Sequence, residues 1–343
     1  MTAEWEIVFW DVGQGDATDI ILPDRSHILI DSGPTVQQGN PMPGWFQRMG
    51  RPNIRLAVIT HSHVDHYGGL IGLCRDDGQR IEKVSMLNDS ALRREKQSAD
   101  LQALFRALHA RKMAGVTSLD LIETDQTLYS ADGLRLRIVH PRDLSGLSTV
   151  PSDVNKTSMI IVLDATTGTS FRPLVVFGGD ATLNAIKSSC SGIHPCVLTG
   201  PHHGRPQGVP KIKGQVYWRF FRNEMHPQTI FISVGRRNKY DLPDKNYVKG
   251  AASSGVKVCC SQLSVKCDQT RAVDVFEGSA LIGIDKPADS VQCRGAMRIF
   301  ACPTGVRFDE NQIDYQNTIA RILPEAPCKC DSLPPFKAAT DRK

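Results

Sequence analysis

The chain has 343 residues, 41% hydrophobic and 22% charged, with 41 Lys and Arg against 36 Asp and Glu for a net charge of +5. This is the usual balance of a soluble globular protein, long enough for one large core or for a large and a small domain. No apolar run reaches the length needed to cross a bilayer, and the mild positive charge identifies no partner by itself.

The acidic start Met1-Thr2-Ala3-Glu4-Trp5-Glu6 runs straight into a strand, so it is not expected to be a signal peptide. A cytoplasmic protein without membrane association is expected, and its ten cysteines are then thiols or metal ligands rather than disulfides. Ile7-Val8-Phe9-Trp10 leads into the Gly-rich turn Asp11-Val12-Gly13-Gln14-Gly15-Asp16. Strands are predicted over Thr18 to Leu22 and Ser26 to Ile30, the latter ending at Asp31-Ser32-Gly33. Ile54 to Thr60 reads as a buried strand. Leu92, Leu101, Leu104, Phe105 and Leu108 recur at helical spacing behind an Asp89-Ser90 cap. Further strands are expected over Leu134 to Val139, Ser158 to Leu163, Leu174 to Phe177, Cys196 to Leu198 and Thr229 to Val234. Strand runs with interspersed helices, and turns such as Ala131-Asp132-Gly133, predict an α/β chain of two sheets flanked by helices. Seven cysteines fall after Gly255 (259, 260, 267, 293, 302, 328 and 330), which places a boundary there. The division is thus 1–255 for the main domain, 256–323 for a small Cys-rich C-terminal extension, and 324–343 for a loose tail.

The chemistry concentrates at the end of the Ile54 strand. In Thr60-His61-Ser62-His63-Val64-Asp65-His66-Tyr67-Gly68-Gly69, four potential ligands fall within six positions. On a turn leaving a strand, His61 and His63 can share one metal while Asp65 and His66 swing to a second. Imidazole with carboxylate suits zinc, and equally manganese or iron. Gly68-Gly69 is expected to let the backbone turn sharply into a helix. One cluster cannot close two coordination shells, so later ligands are required. Asp180 ends the strand Val175-Val176-Phe177-Gly178-Gly179, where a carboxylate can bridge both ions, although a strand-end Asp also caps helices. In Pro201-His202-His203-Gly204, one imidazole can ligate while its neighbour faces substrate. Asp65 and His203 are the catalytic candidates.

Asp11-Val-Gly-Gln-Gly-Asp16, the H-x-H-x-D-H cluster, Asn155-Lys-Thr-Ser158, Gly179-Asp180, His202-His203-Gly204 and Ser233-Val-Gly-Arg-Arg-Asn238-Lys-Tyr240 occur in one order over residues 6–250. That order resembles the ComEC-like branch of the metallo-β-lactamase superfamily, which includes the nuclease-like domain of a bacterial DNA-uptake channel protein. The resemblance implies an αββα sandwich with the metals between the sheet edges. It implies His61, His63, Asp65, His66, Asp180 and His202 as ligands of two divalent ions, with Asn155 a further candidate where many members place a histidine. His140 is the fallback for that ligand. Thr199, Arg205 and Tyr240-Asp241-Leu242-Pro243 stand where the family usually has Lys, Ser and Tyr-Gly-His-Pro, departures that bear on the leaving-group proton and the substrate.

Two neighbouring ions can supply a hydroxide at neutral pH and clamp a phosphoryl oxygen. Residues 201–250 hold ten basic groups against three acidic ones, +7 in a chain of +5. They are Arg205, Lys211, Lys213, Arg219, Arg222, Arg236, Arg237, Lys239, Lys245 and Lys249, and Tyr217 and Trp218 offer stacking faces. A phosphodiesterase or nuclease acting on nucleic acid or a nucleotide is the leading expectation, with Arg205, Arg236, Arg237 and Asn238 contacting substrate. A thioester or lactone hydrolase would instead need an apolar mouth, and an interaction module would bind metal without turnover. Cys260, Cys267, Cys293 and one of Cys302, Cys328 or Cys330 suit a structural zinc, with buried free thiols the equal alternative.

Overall fold

The computed structural model describes residues 4–89, 92, 97–142, 144, 153–207, 215–309, 311–323 and 326–328. Strands β1 (Trp5–Phe9), β2 (Ala17–Ile21), β3 (His27–Ser32), β4 (Ile54–Ile59), β5 (Ile81–Leu87) and β6 (Ser118–Ile122) line up in chain order in one sheet. A second sheet runs through β7 (Thr127–Ala131), β8 (Leu134–His140), β9 (Ile160–Thr167), β10 (Ser170–Phe177), β11 (Val197–Thr199), β12 (Thr229–Ile232) and β13 (Lys257–Cys260). Strands β14 (Met297–Cys302) and β15 (Gly305–Phe308) return to the first sheet, where β14 pairs antiparallel with β1.

Period-two alternation makes each strand two-faced. On β4, Leu56 and Val58 enter the core between the sheets with Leu136, Ile161, Val176 and Ile230. Ala57 and Ile59 point the other way, into a second core with Tyr67, Leu70, Leu101 and Leu104. Those residues belong to α2 (Val64–Arg75) and α3 (Ala99–Met113), which follow the short α1 (Met42–Arg48). On the far side, α4 (Leu183–Ser189) and the helix Lys245–Ser253 pack against the second sheet through Ile186, Tyr247 and Ala251. The result is the expected αββα sandwich, held by side chains each worth roughly 1.5–3 kcal/mol when fully buried.

Three local expectations need correction. The helix does not begin behind Asp89-Ser90: Ser98 caps α3, its hydroxyl accepting from Leu101 N at 3.2 Å, and Leu92 lies before it. Ser90 lies outside the described residues. Gly68 and Gly69 do not make a sharp turn either; both sit inside α2 because the helix presses on the backbone after β3. A β-carbon at Gly69 would stand 2.1 Å from Ser32 O, and one at Gly68 2.4 Å from Thr35 N.

The boundary near residue 255 does not separate a unit either. β13 continues the second sheet beside β12, β14 extends the first, and Gln262 and Gln292 donate to the buried Asp11 at 2.9 and 3.4 Å. Each of these segments completes a hydrogen-bonding edge of the sandwich, so 256–309 is woven into it. The tail expected from 324 onwards lies outside the described residues except for 326–328. No described helix is long and apolar enough to cross a membrane.

Candidate metal centre

The ends of β4, β10 and β11 converge, and each delivers one motif. The turn after β4 is pinned by Asp31 at the end of β3, which accepts from Thr60 N and Thr60 Oγ1, both at 2.8 Å. Asp89 accepts from Ser62 N at 2.7 Å. His63 then stands at the N-cap of α2, with Asp65 and His66 in its first turn. After β10, Gly179 (φ 46°) turns the chain so that Asp180 N donates to Ser158 Oγ at 3.0 Å. Asp180 therefore does not cap α4; Thr182 does. After β11, His202 and His203 both adopt left-handed backbone (φ 50° and 52°), which swings both rings inward. Such conformations are uncommon outside glycine and gather at functional sites.

Asp180 divides the imidazoles between its two oxygens. Around Oδ2 lie His61 Nε2 at 3.6 Å, His63 Nδ1 at 3.9 Å and His202 Nε2 at 3.7 Å. Around Oδ1 lie His66 Nε2 at 3.3 Å and His203 Nε2 at 3.6 Å, and Asp65 Oδ2 is 3.3 Å from His203 Nε2. His203, expected to face substrate, thus joins the donor set, because the double left-handed turn directs it toward Asp65 rather than outward.

These donors fit cations. His66 Nε2, His203 Nε2 and Asp180 Oδ1 are buried without a hydrogen-bond partner, an arrangement that costs desolvation unless something else satisfies it. Ligand atoms around a tetrahedral zinc, with bonds near 2.0–2.1 Å, lie roughly 3.3 Å apart. The separations around Asp180 run from that value to 3.9 Å, and four trios of carboxylate and imidazole atoms each lie within 4.8 Å of one another.

Outer partners set the ring tautomers. His66 Nδ1 meets Asp31 Oδ2 at 2.7 Å and His203 Nδ1 meets Ser233 O at 3.0 Å, so each Nδ1–H donates and each Nε2 is the nitrogen that faces Asp180. His61 Nδ1 lies 3.2 Å from Thr60 Oγ1 and 3.3 Å from Ser158 Oγ. Burial opposes charge on His66, yet Asp31 and Asp180 hold it well above the ordinary imidazole value. Asp16 and Asp180 do the same for His203. Burial likewise opposes ionisation of Asp180, and the imidazoles hold it well below the usual carboxylate range. The cradle is negative and demands positive charge. Burial pushes His61 and His202 down, which keeps them neutral donors.

Asp16 and Asp31 escaped the sequence reading as working residues, although both lie in turns beside the motifs. Their signal is an Asp at a strand end or Gly-rich turn, a placement too common to single out. Asn155 lies buried on a short turn before Ser158, its Oδ1 without a hydrogen-bond partner. His140 Nε2 meets Lys156 O at 3.1 Å, apart from the cradle donors.

The predicted substrate contacts divide. Arg236 is buried, and its guanidinium donates to Leu263 O, Asp268 O and Arg271 O at 2.9, 3.2 and 2.6 Å. It clamps the chain after β13 and has no free face for a phosphate. Asn238 likewise braces its own loop, bonding Gly235 O and both backbone groups of Leu242. Arg237 and Lys239 are exposed, and Arg205 is exposed with one donor on Tyr240 O. Tyr217 is buried edge-on against Tyr247 and offers no stacking face. Lys211, Lys213 and the side chain of Trp218 lie outside the described residues. On the solvent side, His63 exposes 44% of its side chain, Asp65 25% and His202 23%, so the cradle opens to solvent past these groups.

Residues 10–156 match the family model of the metallo-β-lactamase superfamily. No curated protein matches the chain. Among solved structures, the chain is similar to Igni18, a metallo hydrolase from the archaeon Ignicoccus hospitalis, at 15% identity and TM-score 0.45, covering 74% of this chain and 94% of that one. Zinc-bound PqqB from Methylobacterium extorquens is similar at 14% identity and TM-score 0.36, covering 57% and 71%. Yeast PDE1 is similar at 11% identity and TM-score 0.38, covering 76% and 88%. The family match is confined to residues 10–156, the stretch that carries His61, His63, Asp65 and His66.

Proposed function

We propose that this chain is a metal-dependent phosphodiesterase of the ComEC-like branch, acting on nucleic acid or a nucleotide with two divalent ions, zinc or manganese. The carrying observation is the split of donors about Asp180. His61, His63 and His202 gather on Oδ2, and His66, His203 and Asp65 on the Oδ1 side. Two cations so placed supply a nucleophile at neutral pH and neutralise charge on a phosphoryl group.

The protein's own groups do the rest. Asp65 is held against His203 Nε2 and faces solvent on its other side, where it orients an incoming water. Asp31 and Ser233 O fix the rings of His66 and His203, so neither reorganises during reaction. Exposed Arg205, Arg237 and Lys239 follow the His202-His203 turn in sequence and supply the positive surface that a polyanion needs.

The test is turnover by metal-depleted protein given manganese or zinc, on bis-p-nitrophenyl phosphate, single-stranded DNA, RNA and a neutral thioester. Cleavage of the phosphodiesters only with metal, with a Michaelis constant for nucleic acid that rises with salt, is expected. Turnover of the thioester alone would overturn the assignment. Stable binding of two ions with no turnover would favour an interaction module.

A further inference from the structure

Away from the cradle, four thiols meet where four chain segments come together. Cys260 ends β13, Cys267 lies on the turn closed by its N–H to Ser264 O at 2.9 Å, and Cys293 precedes β14. Cys328 follows the helix Asn311–Ile322. All four line one cleft with Pro243, Val248 and Pro327, and its cavity volume of about 20 Å³ is the space of a single ion or water. Cys302 does not take part; its Sγ lies 3.0 Å from Thr304 Oγ1 at the end of β14. Cys330, the other alternative, lies outside the described residues, and among the described ones the fourth thiol is Cys328.

We propose that this cleft is a structural zinc site with Cys260, Cys267, Cys293 and Cys328 as its ligands, separate from the His/Asp cradle. Four thiols from four segments around an ion-sized cavity are the donor set of a closed tetrahedral zinc site. On binding, each thiol releases its proton to solvent and forms one Zn–S bond. A dication with four thiolates carries a net charge of −2, and Lys245 and Lys266 line the same cleft. Lys266 is also anchored to Asp241 Oδ2 at 3.0 Å. Among the described residues, no cysteine belongs to a trio with donors within 4.8 Å of one another. Binding therefore requires the four thiols to close on the ion, which would fasten the end of the chain to β13.

Cobalt(II) substitution of the purified protein tests this without reference to activity. Cobalt in the cradle has only nitrogen and oxygen ligands, whereas the thiol site adds a sulfur-to-cobalt charge-transfer band in the near ultraviolet. The band is expected in the parent, in Cys302→Ser and in Asp180→Ala, whose cradle is damaged. It should weaken in Cys328→Ser, at the periphery, and in Cys260→Ser, each with one metal equivalent fewer by elemental analysis. Absence of the band, with no metal beyond that of the cradle by elemental analysis, would overturn the proposal whether the thiols alkylate rapidly or stay buried and free. So would a mass two units low per pair under non-reducing conditions, since that identifies a disulfide. Loss of cradle metal with the band intact would count against the proposed function and leave this site standing.

Discussion

Replacing Asp31 by Asn tests whether the cradle depends on the tautomers assigned to it. Asp31 is 2% exposed and accepts three hydrogen bonds, from Thr60 N, Thr60 Oγ1 and His66 Nδ1, at 2.7–2.8 Å. Its φ of 56° is one that Asn adopts readily, so the substitution adds little backbone strain. The amide has one acceptor oxygen where the carboxylate has two. If the oxygen stays with Thr60, the NH₂ faces His66 Nδ1, the ring proton moves to Nε2, and that nitrogen can no longer take a cation. If the oxygen turns to His66, the NH₂ confronts Thr60 N–H, and a buried donor is left unpaired at roughly 1–3 kcal/mol. Loss of such an outer partner typically lowers metal affinity by about 10–100-fold. Metal titration monitored by calorimetry, with thermal unfolding in parallel, reads both effects. Asp31→Asn should bind the weaker-held ion at least about tenfold less tightly, and the melting temperature gained from metal should shrink. Parent-like affinity and parent-like metal stabilisation would refute the claim that Asp31 sets the His66 tautomer.

Asp180→Ala removes the group shared by both donor sets, so elemental analysis should show loss of at least one ion; full retention would contradict the bridging role. Arg237→Ala with Lys239→Ala should flatten the dependence of nucleic-acid binding on salt, the log–log slope falling by roughly 0.7 for each phosphate on a single strand that these side chains no longer neutralise. Arg236→Ala should leave that slope alone and lower the unfolding free energy read from urea titration, by on the order of 3 kcal/mol for a buried guanidinium bonded to three carbonyls. Asp11 supplies a pH signature, because burial raises its pKa to about 6 despite the donors Gln262, Gly13 and Gln292. The folded state thus holds this proton more tightly than the unfolded chain, and stability falls as pH rises from about 4 to about 6, by on the order of 3 kcal/mol. Urea unfolding at pH 4.5 and pH 7 should show the difference narrowing in Asp11→Asn; an unchanged difference would mean other groups carry it.

The candidate ligands were legible because donor chemistry at strand ends needs no tertiary information. The spacing of His61, His63, Asp65 and His66 after an apolar run, and Asp180 after another, already pointed to a metal cradle, while the αββα class was what the family resemblance implied. Most strands were legible for the same reason, since 56–59 of β4, 160–163 of β9 and 174–177 of β10 are apolar runs buried on both faces. β5 and β6 were not, because Glu82-Lys83 and Asp120 interrupt the apolar pattern where the sheet meets solvent. What the folded chain alone decided is where each side chain points. The left-handed backbone at His202 and His203 brings both rings inside, and no local spacing announces it. Arg236 and Arg237 are neighbours in a basic run, yet one is enclosed by three carbonyls from residues 263–271 and the other faces water. Cys302 and Cys328 were interchangeable as letters until β14 carried the first away and the helix Asn311–Ile322 brought the second to the cleft. A sequence determines which atoms can donate; the direction of a buried donor depends on contacts hundreds of residues apart, as between Asp11 and Gln292, and only the packed chain makes them.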